Sequence, residues 1–250
     1  MRKFGLIGYP LGHSFSRKYF TEKFQIEHIS DCIYQNFPLE SIDDLPILLR
    51  NEPDLEGLNV TIPHKSDVIR FLDQVSSDAN EIGAVNVIKI RREEGSTHLA
   101  GFNSDVYGFS ESIMPYLKNR KGNALVLGTG GSSRAVRYSL LKIGLKVTLV
   151  SRKAQPGMIT YNDIDKDVLR NTDIIVNTTP LGMFPDVESR PELNYDLLVS
   201  RHILFDLVYN PELTAFLMEG KARGCTVVSG LRMLHLQAEK SWEIWNNDEL

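Results

Sequence analysis

The chain has 250 residues, which is enough for one large domain or for two smaller domains with buried cores. Its apolar content of 42% and its charged content of 24% are typical of globular proteins and exclude a disordered chain. The formal net charge of −4 excludes a strongly basic protein, so we expect neither a nucleic acid nor an anionic membrane as a partner.

Strand and helix patterns alternate along the first part of the chain. In chain order they predict the strand KFGLIGY, the helix RKYFTEKFQ, the strand DCIYQNF, the helix SIDDLPILLRN, the strand LEGLNVTI, two strands within AVNVIKIRREEGSTHLAGF and the helix SDVYGFSESIMPYL. Ser16 and Ser104 are expected to be the N-caps of the helices that follow them. Pro46 is expected to delay or break its helix, and a turn at residues 93–96 joins the paired strands.

The second part of the chain begins with a strand, a glycine-rich turn, a helix and another strand. This segment, GNALVLGTGGSSRAVRYSLLKIGLKVTLVSRK, has the length of a βαβ unit. The segments TDIIVNTTP, HILFDLVYNP and CTVVSG have the apolar runs of buried parallel strands, and the tail GLRMLHLQAEKSWEIW predicts a helix with one apolar face. The sequence therefore predicts the α/β class, with two α/β domains and a cleft between them.

The cysteines and the N-terminus indicate the compartment. Cys32 and Cys225 lie far apart and outside any CxxC or Cys/His cluster, which predicts reduced thiols in a cytoplasmic protein and no metal site. The N-terminal segment MRKFGLIGYPLGHS is basic, but glycine, proline and histidine interrupt its apolar run, so it lacks the pattern of a signal peptide. No segment is long and apolar enough to predict a membrane span.

A strand that ends in polar residues is the first candidate site. In NVTIPHK, alternation places Asn59 and Thr61 on one face of the strand, and Pro63 should end it. Lys65 follows on the next turn. Two neutral hydrogen-bonding groups beside a lysine indicate a pocket wall, although a strand threonine and a solvated lysine are also ordinary surface features.

The glycine-rich turn is the second candidate site. GTGGSSRA contains Gly128-x-Gly130-x-x-Ser133, directly after a strand and before a helix. In a dinucleotide-binding turn the first glycine permits the tight bend, the second lets a pyrophosphate approach, and the third position must be small. The phosphates would lie at the helix N-terminus, where free N–H groups favour anions. The alternative is a tight structural turn in a doubly wound domain.

The end of the following strand indicates which dinucleotide would bind. NAD-binding units carry a carboxylate there for the ribose 2′-hydroxyl, whereas this chain has Ser151, Arg152 and Lys153. A guanidinium and an ammonium can pair with a 2′-phosphate, so the sequence favours NADP. Arg134 at the helix start opposes the helix dipole unless it has an anionic partner, and it is a further phosphate candidate. The alternative for Arg152 and Lys153 is an ordinary solvated loop.

Seven motifs occur in a fixed order across nearly the whole chain. They are GYPLGHSFS, NVTIPHK, GAVNVI, GFNSDVYGF, GTGGSSRA, NTTPLGM and SGLRMLHLQA. In these motifs the sequence resembles the shikimate dehydrogenases. The resemblance implies a substrate domain formed by residues 1–104 and 233–250 and a Rossmann-type NADP-binding domain formed by residues 105–232. It implies reversible reduction of 3-dehydroshikimate to shikimate with NADPH, within aromatic amino acid biosynthesis.

The resemblance also implies roles for individual residues. Lys65 and Asp105 would be the catalytic pair. The substrate-binding residues would be Ser14, Ser16, Asn59, Thr61, Asn86, Tyr209 and Gln237. The cofactor-binding residues would be Gly128, Gly130, Gly131, Ser132 and Arg134 along the phosphates, Ser151, Arg152 and Lys153 at the 2′-phosphate, and Thr178, Pro180, Val208, Gly230 and Met233 along the rest of the dinucleotide.

Elementary chemistry supports the roles of the pair. Hydride reduction of a ketone leaves negative charge on its oxygen, and a lysine can donate to that oxygen. A nearby aspartate would keep Lys65 mainly protonated, and it could also accept a substrate hydroxyl. The alternative for Asp105 is an acid at a helix start, favoured by the helix dipole. No catalytic role is expected for His13 or His64.

The chain departs from the family pattern at several positions. The departures are Arg17 where proline is usual, Tyr19 and Phe20 where histidine and asparagine are usual, Val87 for threonine, Ser132 and Ser133 for two alanines, and Arg232 for glycine. None removes a candidate catalytic group. They leave open a quinate/shikimate dehydrogenase that uses NAD or NADP, and a nucleotide-binding regulatory protein without turnover. The expected partners are small molecules, with a monomer or homodimer both possible.

Overall fold

The computed structural model describes residues 1–12, 15–93, 95–117 and 122–247. The chain divides into two compact units, one formed by Met1–Ser104 with Ala238–Leu250 and the other by Asp105–Gln237. The second boundary lies inside the final helix, after residue 237, whereas the sequence analysis placed it after residue 232. A continuous helix carries no change of composition at such a boundary, so the sequence does not mark it.

The first unit is built on a mixed six-stranded sheet in the order β2-β1-β3-β5-β6-β4. Its elements are β1 (Arg2–Gly8), α1 (Phe15–Ile26), β2 (Cys32–Pro38), α2 (Leu45–Asn51), β3 (Leu55–Val60), β4 (Gln74–Val75), α3 (Ser77–Ile82), β5 (Val87–Glu93) and β6 (Ser96–Phe102). β1 is parallel to β2 and β3, whereas β5 is antiparallel to β3 and β6. The start of β5 therefore lies at the same edge of the sheet as the end of β3.

The second unit is built on a parallel six-stranded sheet in the order β12-β11-β10-β7-β8-β9. Its elements are α4 (Asp105–Leu117), β7 (Asn123–Leu127), α5 (Gly131–Lys142), β8 (Lys146–Ser151), β9 (Met158–Thr160), α6 (Lys166–Arg170), β10 (Ile174–Asn177), β11 (Ile203–Asp206), α7 (Ala215–Ala222), β12 (Thr226–Ser229) and the first part of α8. The helix α8 spans Leu231–Asn246, and its residues from Ala238 onward belong to the first unit. The strand order reverses between β7 and β10, which is the switch point of a doubly wound sheet.

Each sheet has a hydrophobic core on both faces. In the first unit one core is aromatic and joins Phe4, Phe20, Tyr34 and Trp245 to the strands beneath α1 and the C-terminal part of α8. The rings of Phe20 and Tyr34 stack with centroids 4.6 Å apart. Phe20, which departs from the asparagine of the family pattern, is therefore a core residue here. In the second unit α4 and α5 cover one face and α7 covers the other.

The α/β fold class is confirmed for both units, and the main predicted strands and helices are present. Ser16 is the second residue of α1, so its prediction as the N-cap is wrong. The short elements β4, α3, β9, α6 and α7 were not predicted, because segments this short carry little periodicity. Pro46 lies in the first turn of α2, after a 3₁₀ turn, which confirms the delayed helix. Among the described residues, no helix is long and apolar enough to cross a membrane.

Candidate active site

The carboxyl edge of the parallel sheet brings together residues from five strand ends. Because all strands run in one direction, their ends meet at one edge, where doubly wound proteins bind ligands. Gly128 directly follows β7, Ser151 ends β8, Thr178 follows β10, Val208 follows β11 by two residues and Gly230 follows β12. The cofactor residues predicted from scattered motifs therefore share one edge of the second unit.

The glycine-rich turn has the backbone that its sequence predicts. Gly128 has a φ of +115°, and a Cβ there would lie 2.6 Å from Thr178 Oγ1. Gly130 is the N-cap of α5, and a Cβ on it would meet no atom within 4 Å. The buried Ser133 hydroxyl donates to the Gly130 carbonyl at 2.9 Å and closes the turn. A helix start with open space before it fits a phosphate group.

The loop after β8 presents two cations. Ser151 is buried, and its hydroxyl oxygen accepts the Lys153 N–H at 3.2 Å and the Gln155 amide at 3.3 Å. Arg152 and Lys153 are exposed. Burial raises the pKa of the Tyr161 phenol, and the nearby positive charge of Arg152 acts against that rise. The hydrogen bonds of Ser151 therefore fix this turn, and its two cationic side chains are exposed to solvent. Exposed cations at this position can pair with a 2′-phosphate.

Other predicted cofactor residues have structural roles of their own. Thr178 donates from its N–H at 3.0 Å and from its hydroxyl at 2.6 Å to the Leu127 carbonyl, so it joins the ends of β7 and β10. Met233 is 5% exposed and lies in the core with Phe109, so its side chain is packed inside the second unit. A Cβ on Gly230 would collide with the Leu207 carbonyl, so only glycine fits there.

A buried hydrogen-bond network links the predicted substrate residues of the first unit. The Tyr34 hydroxyl donates to Asn59 Oδ1 at 2.8 Å, and Asn59 Nδ2 donates to Ser241 Oγ at 2.9 Å. The Ser104 N–H donates to Asn86 Oδ1 at 2.7 Å, and Asn86 Nδ2 donates to Ser104 Oγ at 3.1 Å. The two serine hydroxyls lie 3.3 Å apart. The network joins β2, β3, the start of β5 and α8 beside the carboxyl ends of β1 and β3.

Tyr34 and Ser241 are parts of this network that sequence reasoning missed. Tyr34 lies on the buried face of β2, where burial raises its pKa and a hydrogen bond with Ser16 acts against that rise. Asn59 Nδ2 also donates to the Asn86 carbonyl at 3.4 Å, so both amide hydrogens of Asn59 are used within the protein. This favours a positioning role for Asn59 over direct donation to a ligand. Ser14 lies outside the described residues.

Replacing Tyr34 with phenylalanine tests the network. The variant keeps the ring stacking on Phe20 but removes the hydroxyl that joins Ser16 to Asn59. We expect the KM for the substrate to rise by about tenfold, with a smaller change in kcat, because the hydrogen bonds of this hydroxyl with Asn59 and Ser16 are lost. Steady-state kinetics check this, with Tyr195→Phe as the control, since the Tyr195 hydroxyl donates to a carbonyl within the other unit. An unchanged KM would contradict the view that the Tyr34 hydroxyl and Asn59 position the substrate-binding residues.

Lys65 lies on a turn that several hydrogen bonds fix. The Thr61 N–H donates to the Ile7 carbonyl at 2.9 Å, and the Val85 N–H donates to the Lys65 carbonyl at 2.7 Å. The His64 ring is buried and bonds the Leu39 carbonyl at 2.7 Å, which agrees with a structural histidine. β3 ends at Val60, earlier than predicted, and Ile62 is 70% exposed. Lys65 is half-buried at the carboxyl edge of the first sheet.

Asp105, Tyr209 and Gln237 lie in the second unit. Asp105 is the first residue of α4 and is 2% exposed. A Cβ on Gly108 would lie 2.7 Å from the Met233 carbonyl and 3.2 Å from Gln237 Cβ, so α4 and α8 approach closely at Gln237. Tyr209 follows β11 and is half-buried, and burial raises the pKa of its phenol. The pairing of Lys65 with Asp105 stays a prediction.

Asp206 is a buried carboxyl group that the sequence analysis did not single out. It is fully buried at the end of β11. Burial raises its pKa to about 7, although hydrogen bonds from Thr214, the Val208 N–H and Asn177 oppose the rise. An ionised carboxyl inside a core would normally be paired with a cation, so a neutral or partly neutral Asp206 follows from this environment.

The pH dependence of unfolding reports on Asp206. Its folded pKa of about 7 lies above the ordinary 3.8, so the folded state binds more protons between these values. The stabilisation is complete below the ordinary value and is lost as pH rises through the folded pKa. Asp206→Asn removes this component. We therefore expect wild type, relative to the variant, to lose about 3 kcal/mol of unfolding free energy from pH 5 to pH 8. Urea titrations of wild type and Asp206→Asn at about pH 5 and pH 8 measure this loss. The same change of unfolding free energy in both proteins would contradict the prediction.

The sheet order, the glycine-rich turn and the open helix start define the second unit as a Rossmann-type dinucleotide-binding domain.

Residues 6–88 match the family model described as the shikimate dehydrogenase substrate binding domain. A shikimate dehydrogenase (NADP(+)) of Methanococcus aeolicus is 36% identical over 96% of this chain and 90% of its own length. One of Clostridium beijerinckii is 37% identical over 100% of this chain and 94% of its own length.

A solved structure of the same family is also similar to this chain. Shikimate 5-dehydrogenase of Thermus thermophilus, in complex with NADP(H) and shikimate, is 33% identical, with a TM-score of 0.84 over 98% of this chain and 94% of that one. The chain therefore belongs to the shikimate dehydrogenase family, as the seven motifs predicted.

Proposed function

We propose that the protein catalyses the reversible, NADPH-dependent reduction of 3-dehydroshikimate to shikimate. The similarity to the NADP-dependent enzymes of Methanococcus and Clostridium over nearly the whole chain carries the proposal. The candidate residues Lys65, Asp105, Asn86 and Gln237 are all present, which argues against a regulatory protein that has lost turnover.

The residues at the carboxyl edge of the second sheet fit NADP. Gly130, Gly131 and Ser132 at the start of α5 would hold the pyrophosphate, and Ser151 and Arg152 would hold the 2′-phosphate. The open space beside Gly130 and the absence of a carboxylate from the segment Ser151-Arg152-Lys153 support this assignment. When bound, the nicotinamide supplies the hydride.

Lys65 and Asp105 would control the protons. The carbonyl oxygen of 3-dehydroshikimate gains negative charge as it is reduced, and the Lys65 ammonium can donate to it. Asp105 would accept the adjacent substrate hydroxyl and stabilise the charged lysine. The hydroxyls of Ser14 and Ser16 would hold the substrate carboxylate. They are neutral donors, so several of them must converge to compensate for the lost hydration of the carboxylate.

A coupled assay tests the proposal. Absorbance at the NADPH band is followed with 3-dehydroshikimate, and the reverse reaction is followed with shikimate and quinate, each with NADP and NAD. Oxidation of NADPH by 3-dehydroshikimate supports the proposal. Preferential turnover of quinate, or of NAD, assigns the protein to the quinate/shikimate alternative. Tight NADPH binding without turnover of any of these acids indicates a regulatory protein.

Arg152→Ala should change cofactor selectivity. Charge-assisted hydrogen bonds to a phosphate stabilise binding by about 1.5–3 kcal/mol, so we expect the KM for NADPH to rise by about tenfold or more, while that for NADH stays the same. Steady-state kinetics with both cofactors measure the ratio. Arg170→Ala, an exposed arginine at the end of α6, is the control. An equal rise for NADH would contradict a 2′-phosphate contact.

The proposed setting is the cytoplasm, with small molecules as ligands. Cys32 and Cys225 are free, which supports a reducing compartment. Both are buried, and burial raises the pKa of Cys32 to about 11, so little of this thiol is ionised at neutral pH. A monomer and a homodimer remain the two candidate states, which sedimentation distinguishes.

A further inference from the structure

The ends of β10 and β11 are joined by buried side chains with no assigned role. Asn177 ends β10 and Asp206 ends β11, and the two are direct partners in the sheet register. Both are completely buried, as is Thr214 at the start of α7. These three residues, the Asn177–Asp206–Thr214 cluster, lie beneath the edge of the sheet that carries the candidate cofactor residues.

Asp206 receives hydrogen bonds from three segments. Asn177 Nδ2 donates to Oδ1 at 2.9 Å, and the Val208 N–H donates to the same oxygen at 3.0 Å. The Thr214 hydroxyl donates to Oδ2 at 2.6 Å and accepts the Leu217 N–H at 3.3 Å as the N-cap of α7. The carboxyl group therefore fixes the loop after β11 at both ends, near Val208 and at Thr214.

Asn177 fixes the loop after β10 in the same way. Its Oδ1 accepts the Thr179 N–H at 3.0 Å and the Thr179 hydroxyl at 2.6 Å, and its Nδ2 also donates to the Leu181 carbonyl at 3.3 Å. A Cβ on Gly182 would lie 3.3 Å from Thr214 Cβ, so this loop packs against the start of α7. One buried cluster thus sets the paths of both loops.

We propose that Asp206 is a positioning residue for cofactor binding, because it holds the loops of residues 178–182 and 207–214 in one arrangement. These loops carry Thr178, Pro180 and Val208, the candidate cofactor residues, and Tyr209. The inference rests on the proposed function, in which the dinucleotide lies along this edge. A group that receives three hydrogen bonds in a core without exposed surface cannot be removed without freeing the segments that donate to it.

Affinity for NADPH tests the inference, and isothermal titration measures it without turnover. Asp206→Ala removes the acceptor for all three donors, and we expect the Kd to rise by about tenfold, which corresponds to about 1.4 kcal/mol. Thr214→Val removes one donor without a change of size and should raise the Kd by about threefold. Asp206→Asn keeps an acceptor oxygen, and its amide can donate to Thr214, so affinity should stay close to that of wild type.

A matched threonine separates positioning from general stability. Thr172 is also buried, and its hydroxyl donates to the Val168 carbonyl at 2.8 Å, but it precedes β10 at the opposite edge of the sheet. Thr172→Val should lower the thermal midpoint as Thr214→Val does and leave the Kd unchanged. In steady state, Asp206→Ala should raise the KM for NADPH more than it lowers kcat.

The outcomes distinguish the two proposals. Wild type that binds NADPH but does not reduce 3-dehydroshikimate would overturn the proposed function, while the comparison of Kd values would still test Asp206. Folded Asp206→Ala and Thr214→Val proteins with Kd values within about twofold of wild type, or a Thr172→Val protein with the same loss as Thr214→Val, would overturn the positioning role. If Asp206→Ala does not fold, the Kd values of Thr214→Val and Thr172→Val for NADPH decide whether the cluster has a positioning role.

Discussion

Lys65→Ala is expected to lower kcat for 3-dehydroshikimate by about a thousandfold, because a positioned proton donor contributes about 10²–10⁴ to such reactions. No other described side chain that we assign to the substrate pocket of the first unit carries a positive charge. The turn that holds Lys65 is fixed by backbone hydrogen bonds of Thr61, Val85 and Lys65 itself, and the substitution leaves these bonds in place. We therefore expect the thermal midpoint to change little.

Two further variants make the Lys65 result interpretable. Lys65→Met retains the aliphatic stem of this half-buried side chain, so a loss shared by both variants is due to the ammonium group. Lys18→Ala removes a lysine on α1 whose side chain is 77% exposed and pairs with Glu22, and it should have no effect on kcat. Full turnover by Lys65→Ala would exclude the proposed mechanism.

Asp105→Asn is expected to lower kcat by about a hundredfold or more, because the amide cannot accept a proton and no longer stabilises the lysine. The chemical role competes with a helix-start role, since Asp105 is the first residue of α4 and an acid there is favoured by the helix dipole by about 0.3–1 kcal/mol. The two roles differ in their readouts. Loss of the dipole interaction lowers the thermal midpoint without an effect on kcat.

The control for Asp105 is a second acid at a helix start. Asp78 is an exposed acid in the first turn of α3, and Asp78→Asn removes a helix-dipole interaction without any predicted chemistry. If Asp105→Asn lowers only the thermal midpoint, as Asp78→Asn should, Asp105 is a structural acid.

The raised pKa of Asp206 and its hydrogen bonds to neighbouring loops belong to the same buried carboxyl group. A carboxyl group with a pKa of about 7 changes its charge near neutral pH, yet it lies in a cluster that Asn177 and Thr214 complete. Asp206→Asn should flatten the pH dependence of stability and keep the loops in place. The same variant therefore separates the ionisation of the group from its hydrogen-bonding role.

The predictions from sequence were most accurate where chemistry is local. The Gly128 backbone and the small residue at position 133 follow from the requirements of a single turn, so a motif of a few residues predicts them. Alternation and apolar runs predicted the long strands of both sheets. Ser16 was misassigned as a cap because α1 begins one residue before it, and such a boundary depends on packing more than on the local sequence.

The sequence by itself determined the α/β class, the seven ordered motifs, the identity of the candidate groups and the preference for a 2′-phosphate, since each depends on residue type and short spacing. Only the tertiary structure decided which side chains meet. Tyr34 and Ser241 are 207 residues apart in numbering, and both bond Asn59. Asp206 gains its raised pKa only when folding removes water from it. Burial and contacts between distant segments arise from the folded chain, and no short stretch of sequence encodes them.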